Sequence, residues 1–252
     1  MNAAADTPRK RWWPPAVIVT LAVAFAWLVT QQQLWESVLG GMFPGERAAI
    51  YPVPLAALTL QHLAIVGISS GLTILVGIPL GIWVTRASGR DFRDIVAAGV
   101  DFGQTFPPVA VLALMMPILG FGLRPAVVAL FLYGLFPVVS NTVAGLEAVP
   151  ATLKDAARGM GMGRARILLT LELPLAARVI MAGVRTSVII NIGTATVAAA
   201  VGAGGLGDPI IGGIQVQNLA YVFEGALVAA VLAVLADAAL AQAETALAPR
   251  GV

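Results

Sequence analysis

Residues 145–174 read GLEAVPATLKDAARGMGMGRARILLTLELP, a charged island between long apolar runs. It carries Lys154, Arg158, Arg164 and Arg166 against Glu147, Asp155 and Glu172. Pro150 suits a helix start, where its missing N–H would be unpaired anyway. Residues 151–159 are good helix formers, with Asp155 in the early turns where the macrodipole favours an anion. Gly159, Gly161 and Gly163 then break the helix. Residues 164–171 predict a second short helix, which Pro174 follows. Leu153, Ala156, Ala157 and Met160 recur three or four apart, so the first helix has one apolar face. Such a face fits a groove on another protein.

Working outward, the rest of the chain belongs in lipid. Of 252 residues, 59% are hydrophobic and 11% charged, against about 25% charged in a soluble domain. The expected fold class is all-α, a polytopic membrane protein with about six transmembrane helices. With no cysteine, disulfides, thiolate metal sites and cysteine nucleophiles are excluded. The single histidine, His62, supports neither a histidine-rich metal cluster nor a triad and reads as an interfacial polar residue.

The apolar runs give the expected spans. Trp12 and Trp13 suit an interface ahead of a first span over 16–29. Residues 31–54 read as a mixed loop, and 60–85 as the second span. There Gly67, Gly71, Gly77 and Gly81 allow close helix approach and Pro79 allows a kink. The third span, 95–119, contains Asp101, Gln104 and Pro107-Pro108; a break there is tolerable only where it is buried in protein or lines a cavity. Residues 126–142 are the fourth span, 178–200 the fifth and 219–243 the sixth. Residues 201–218 read as a glycine-rich loop. Three regions follow: 1–54 with tail, first span and loop; 55–245 as the transmembrane body, with the loop 145–178; and 246–252 as a tail.

Charge sets the expected orientation. With both termini cytoplasmic, only Arg47 and Arg124 of the fifteen Lys and Arg residues fall outside, a strong positive-inside bias. The island then lies in the cytoplasm. Arg178 and Arg185 share a helix face, and one of them is expected to pair with Asp237. Glu224 and Asp237 sit near opposite ends of the last span. Gly202-Ala203-Gly204-Gly205-Leu206-Gly207 matches GxGxxG literally, but it follows a membrane helix rather than a strand, so the dinucleotide reading fails. No GxxxxGK[ST] occurs in the chain.

The island also carries a family resemblance. Asp155-Ala156-Ala157, three residues, Gly161, nine residues, then Leu171-Glu172-Leu173-Pro174 resembles the EAA loop of bacterial ABC importer permeases, with Asp155 for Glu and Leu171 for Ile. Residues 66–70, 104–113, 141–142, 156–161 and 183–196 are similar to the osmoprotectant or quaternary-amine branch, and most of all to Yeh-type glycine betaine permeases. The resemblance covers roughly 60–245. It implies a type I importer permease bundle in the bacterial inner membrane and no enzyme activity in this chain. It implies no cofactor bound here, with ATP used by a partner subunit. The implied partners are ABC ATPase subunits, a second permease subunit and an extracytoplasmic substrate-binding protein, with membrane lipid around them and no nucleic acid. The implied ATPase-coupling positions are Lys154, Asp155, Ala156, Ala157, Gly161, Leu171, Leu173 and Pro174. Gln104, Thr105, Asn141, Asn191, Thr194 and Thr196 are candidates for lining the path. The rival readings are an ABC permease for another small solute such as an amino acid, a self-sufficient secondary transporter, which would show inverted repeats and paired midplane carboxylates, and a non-transporting membrane scaffold.

Overall fold

The computed structural model describes residues 13–46 and 48–247. Arg9, Lys10, Arg11, Trp12, Arg47 and the tail with Arg250 lie outside the described residues. Every regular element among the described residues is helical: α1 (Pro15–Leu28), α2 (Gln32–Met42), α3 (Leu55–Val84), α4 (Arg93–Thr105), α5 (Pro108–Leu119), α6 (Leu123–Glu147), α7 (Ala151–Gly159), α8 (Arg164–Ile167), α9 (Leu173–Val197), α10 (Gly207–Val216) and α11 (Leu219–Ala246). Four stretches are long and apolar enough to cross a membrane: α3, α6, Arg164–Val201 and α11. Two bent pairs, α1 with α2 and α4 with α5, raise the number to six if each pair counts as one span.

Those bent pairs correct the expected spans. α1 has 14 residues, about 21 Å of helix, which is short of a core about 30 Å thick. The chain then turns by 82° into α2, a helix where a loop was expected over 31–54. Trp35 and Leu39 of α2 are buried, and the Trp35 indole N–H donates to Leu28 O at 3.0 Å, satisfying a carbonyl at the end of α1. The third span is likewise no single helix. It bends by 97° at Phe106-Pro107, because a residue before proline is pushed out of the helical region; Phe106 has φ −79° and ψ 137°.

The fifth span starts earlier than the charge pattern suggests. α8 runs through a π-helical turn, Leu168–Glu172, into α9 without a stop. Pro174 therefore lies inside the helix rather than after it. A proline lacks the N–H and crowds the carbonyl four residues back; the widened turn before it relieves both demands. The glycine-rich 201–218 also holds a helix, α10. Gly207 and Gly213 there serve close packing rather than looseness: a Cβ at Gly207 would sit 2.0 Å from Thr196 O, and one at Gly213 2.7 Å from Val222.

α6 is the central helix, packed along α3 on one side and α9 on the other. Small residues let the three backbones close. A Cβ at Gly77 would meet Val138 at 2.8 Å, one at Gly81 would meet Thr142 at 2.7 Å, and one at Gly183 would meet Pro137 O at 2.4 Å. Gly67 and Gly71, expected to do the same, have nothing within 4 Å. His62 is fully buried rather than interfacial, with its Nε2 3.0 Å from Ile192 O. The loop 202–206 folds against it, and Gln61 Oε1 accepts from the Gly205 N–H at 3.2 Å.

Candidate functional site

The island closes one end of the bundle. α7 ends in a Schellman turn: the Gly161 N–H donates to Arg158 O at 2.9 Å and the Met162 N–H to Ala157 O at 3.1 Å. Gly161 takes φ +79°, which a side chain would strain. The spacing from Asp155-Ala156-Ala157 to Gly161 is thus the length of one helix end plus its left-handed cap. Ala157 is buried, whereas Leu153 is 44% and Met160 75% exposed. Ala156 is exposed too. The apolar face predicted from the sequence is therefore mostly bare. Asp155 pairs with Arg158, and Lys154 is half-buried. Leu171 and Leu173 are half-buried and Pro174 is exposed; Leu173 packs against Leu146, Ala176 and Ile180.

Two arginines of the neighbouring 85–93 connection brace both roots of the island. Arg86 reaches Glu172 at 2.6 Å. Arg93 makes a two-pronged pair with Glu147, at 2.6 and 2.9 Å. A forked guanidinium pair fixes direction as well as distance. These braces were not foreseen. The only sequence signal was an arginine-rich loop facing an island flanked by glutamates. The expected pairing of Asp237 is present: Arg185 binds it at 2.7 and 2.8 Å and also reaches Glu244 at 3.2 Å. Arg178 lies 3.7 Å from Glu244.

The candidate path residues divide into three settings. Gln104 and Thr105 sit at the α4–α5 break. Pro137 has no N–H, so Tyr133 O lacks its helical donor; the Gln104 amide supplies one at 3.0 Å. Thr105 donates back to Phe102 O and is exposed. Asn141 donates to Pro137 O at 2.8 Å and is half-buried. Asn191 is fully buried, and its amide donates to Ser70 Oγ at 3.0 Å, joining α9 to α3. Thr194 and Thr196 are half-buried on the last turn of α9, and Thr196 donates to Gly193 O. The structure brings Gln104 and Asn141 to the Pro137 turn of α6, on the carbonyls of Tyr133 and Pro137, but sets Asn191 in a helix contact. Among the described residues no three His, Cys, Asp or Glu side chains group as metal ligands.

Residues 77–250 match the family model described as the binding-protein-dependent transport system inner membrane component. The chain belongs to that family. As a member it is a multi-pass membrane permease, the transport subunit of an ABC importer whose ATPase and substrate-binding functions lie, in general terms, in other components. The permease is similar to the osmoprotectant import permease protein OsmW of Salmonella typhimurium, 39% identical over 79% of this chain and 94% of that protein. It is similar to the choline transport system permease protein OpuBB of Bacillus subtilis, 42% identical over 77% of this chain and 88% of that one. Among solved structures, the permease fold matches a chain of the inward-facing MetNI methionine ABC transporter. That match has a TM-score of 0.67 and 25% identity, and covers 75% of this chain and 94% of the other.

Proposed function

We propose that this permease imports osmoprotectants of the quaternary-amine class, such as glycine betaine or choline. The relatives' names support the substrate class. The observation that carries the mechanism is the bare apolar face of α7, Leu153, Ala156 and Met160, on a helix braced at both roots by arginine pairs. In this reading the face seats in a cytoplasmic ATPase groove, with Lys154 and Asp155 at its rim and Gly161 setting the angle at which the helix stands. Leu171, Leu173 and Pro174 join that lever to α9. Closure of two ATPases moves it, and the spans switch the path from outward to inward. A second permease copy or paralogue completes the path, and an extracytoplasmic binding protein delivers the ligand. Both termini and the island face the cytoplasm, as the charge bias supports. This chain binds no cofactor, and ATP is consumed by the partner. Gln104, Thr105 and Asn141, at the broken span and beside Pro137 of α6, line the path, with Thr194 and Thr196 further along it. Asn191 tunes it through the α3–α9 contact.

The test is reconstitution of the permease with its ATPase and binding protein in vesicles. Glycine betaine or choline should stimulate ATP hydrolysis and accumulate inside. Leu153→Asp with Met160→Asp should abolish ATPase co-purification and uptake while the permease still accumulates in the membrane. Uptake driven by an ion gradient without the ATPase would overturn this reading.

A further inference from the structure

A cavity of about 480 Å³ opens beside the island, lined by Arg86, Arg90, Arg158, Arg164, Leu168 and Glu172 among others. It adjoins a smaller one of about 180 Å³ that shares Arg86, Arg90 and Glu172 and adds Arg93, Lys154 and Glu147, the last paired with Arg93. Two of the four arginines in the larger wall are already matched. Arg86 holds Glu172 at 2.6 Å, and Arg158 holds Asp155. Among the described residues the guanidinium groups of Arg90 and Arg164 have no ion-pair or hydrogen-bond partner. The cavity therefore keeps two uncompensated positive charges, each with a fork suited to phosphate.

Its height along the bundle says which phosphate. Thr85 and Arg86 directly follow the last residue of α3, Val84. On the other wall, Ile167 and Leu168 lie inside the apolar stretch that continues as α9. Trp83 and Phe92, which flank the lining segment 85–90 in sequence, stack at 5.4 Å, and both rings are exposed. Aromatic rings of this kind mark the boundary where the apolar belt meets headgroups. Leu169 is exposed next to Leu168, so apolar surface reaches the rim. A soluble anion has no use for that surface, whereas a lipid with acyl chains does. Basic pockets between spans at the cytoplasmic interface hold anionic headgroups.

We propose that this cavity binds the phosphate of an anionic phospholipid, with Arg90 and Arg164 as its ligands. The site stands next to the brace of Arg86 and Glu172, so its occupant touches the lever that couples to the ATPase. The cytoplasmic assignment rests on the orientation proposed above.

The test is lipid retention on the purified full-length permease, with its ATPase where that co-purifies, read by native mass spectrometry. Phosphatidylglycerol and phosphatidylcholine serve as probes. Phosphatidylglycerol should be kept in preference. Arg90→Gln with Arg164→Gln should weaken its retention roughly 25-fold, from about fivefold per arginine. Arg90→Lys with Arg164→Lys, which keeps both charges, should retain most of it. Equal retention of the two lipids, or no change in the glutamine variant, would overturn the proposal. So would loss of the ATPase with lipid retention unchanged, since the arginines would then serve a protein partner. Inorganic phosphate bound at Arg90 and Arg164 without any preference between the lipids would equally overturn it, in favour of a soluble anion. None of these readouts depends on substrate uptake, so failure here is separate from failure of the import reading.

Discussion

The two ends of the bundle are fastened by different chemistry. At the island end carboxylates meet guanidinium groups: Glu172 with Arg86, Glu147 with Arg93, Asp237 and Glu244 with Arg185. At the opposite end they meet backbone N–H groups. Glu224 accepts from Tyr51 N at 2.8 Å and Glu46 from Leu219 N at 2.9 Å, while Asn218 donates to Ala48 O at 2.9 Å. A side-chain pair links two elements yet leaves each backbone its own path. A carboxylate on a backbone amide fixes the path of the loop itself. The island end is thus joined by side-chain ion pairs between elements, and the other end by loops stitched to helix ends.

The largest test of this contrast is Asp237→Ala. It strips the two-pronged partner from Arg185, whose side chain is 16% exposed. Losing one partner of a fully buried pair costs about 3–5 kcal/mol; Asp237 is itself 37% exposed and Glu244 remains beside Arg185, so the loss here is expected at about 3 kcal/mol or below. Thermal unfolding in detergent should show a marked drop; an unchanged midpoint would remove the pair from the account. Next comes Glu224→Ala at the other end. It leaves the Tyr51 amide without its acceptor, a cost of about 1–3 kcal/mol. Hydrogen exchange at Tyr51 should rise sharply, and Glu224→Gln, which keeps an acceptor oxygen, should spare it.

Glu147→Gln should cost about 1 kcal/mol or less, because Arg93 and Glu147 are each nearly half exposed. Added salt should reproduce its effect on coupled ATP hydrolysis while leaving the Arg185 pair intact. A salt response equal at both pairs would erase the distinction drawn here. The smallest effect is expected at Asp208 on α10, where burial raises the carboxyl pKa above its ordinary value. A raised acid pKa means the folded state holds the proton more tightly. The penalty is full above the folded value and gone below the unfolded one. Asp208→Asn should therefore stabilise slightly at neutral pH, with the gain vanishing as pH falls below the ordinary carboxylate range. A gain that persists in acid would contradict the burial argument.

Much of this was legible in the chain. Apolar runs marked α3, α6 and α11, and proline and glycine punctuation marked α7 and its cap. The Arg185–Asp237 pair followed from a shared helix face and the cost of a lone charge in lipid. The misses share a cause. α2 and α10 were hidden because mixed or glycine-rich composition lowers helix propensity, and tertiary contacts at Trp35, Leu39 and Gly207 override it. The continuous 164–201 helix was hidden because Pro174 reads as a stop unless the turn before it widens. Among path candidates, Gln104 proved to answer a carbonyl orphaned by Pro137, a role set by a residue thirty-three positions away.

From its amino acids alone the chain marked which segments are apolar enough to enter lipid, because transfer cost is local and additive along a helix. It also marked one charged island whose first helix, α7, carries an apolar face. Only the folded structure decided who braces that island, which glycines are in contact and where two arginines are left unmatched. Those outcomes depend on distances between residues far apart in sequence, and no local sum of propensities contains them.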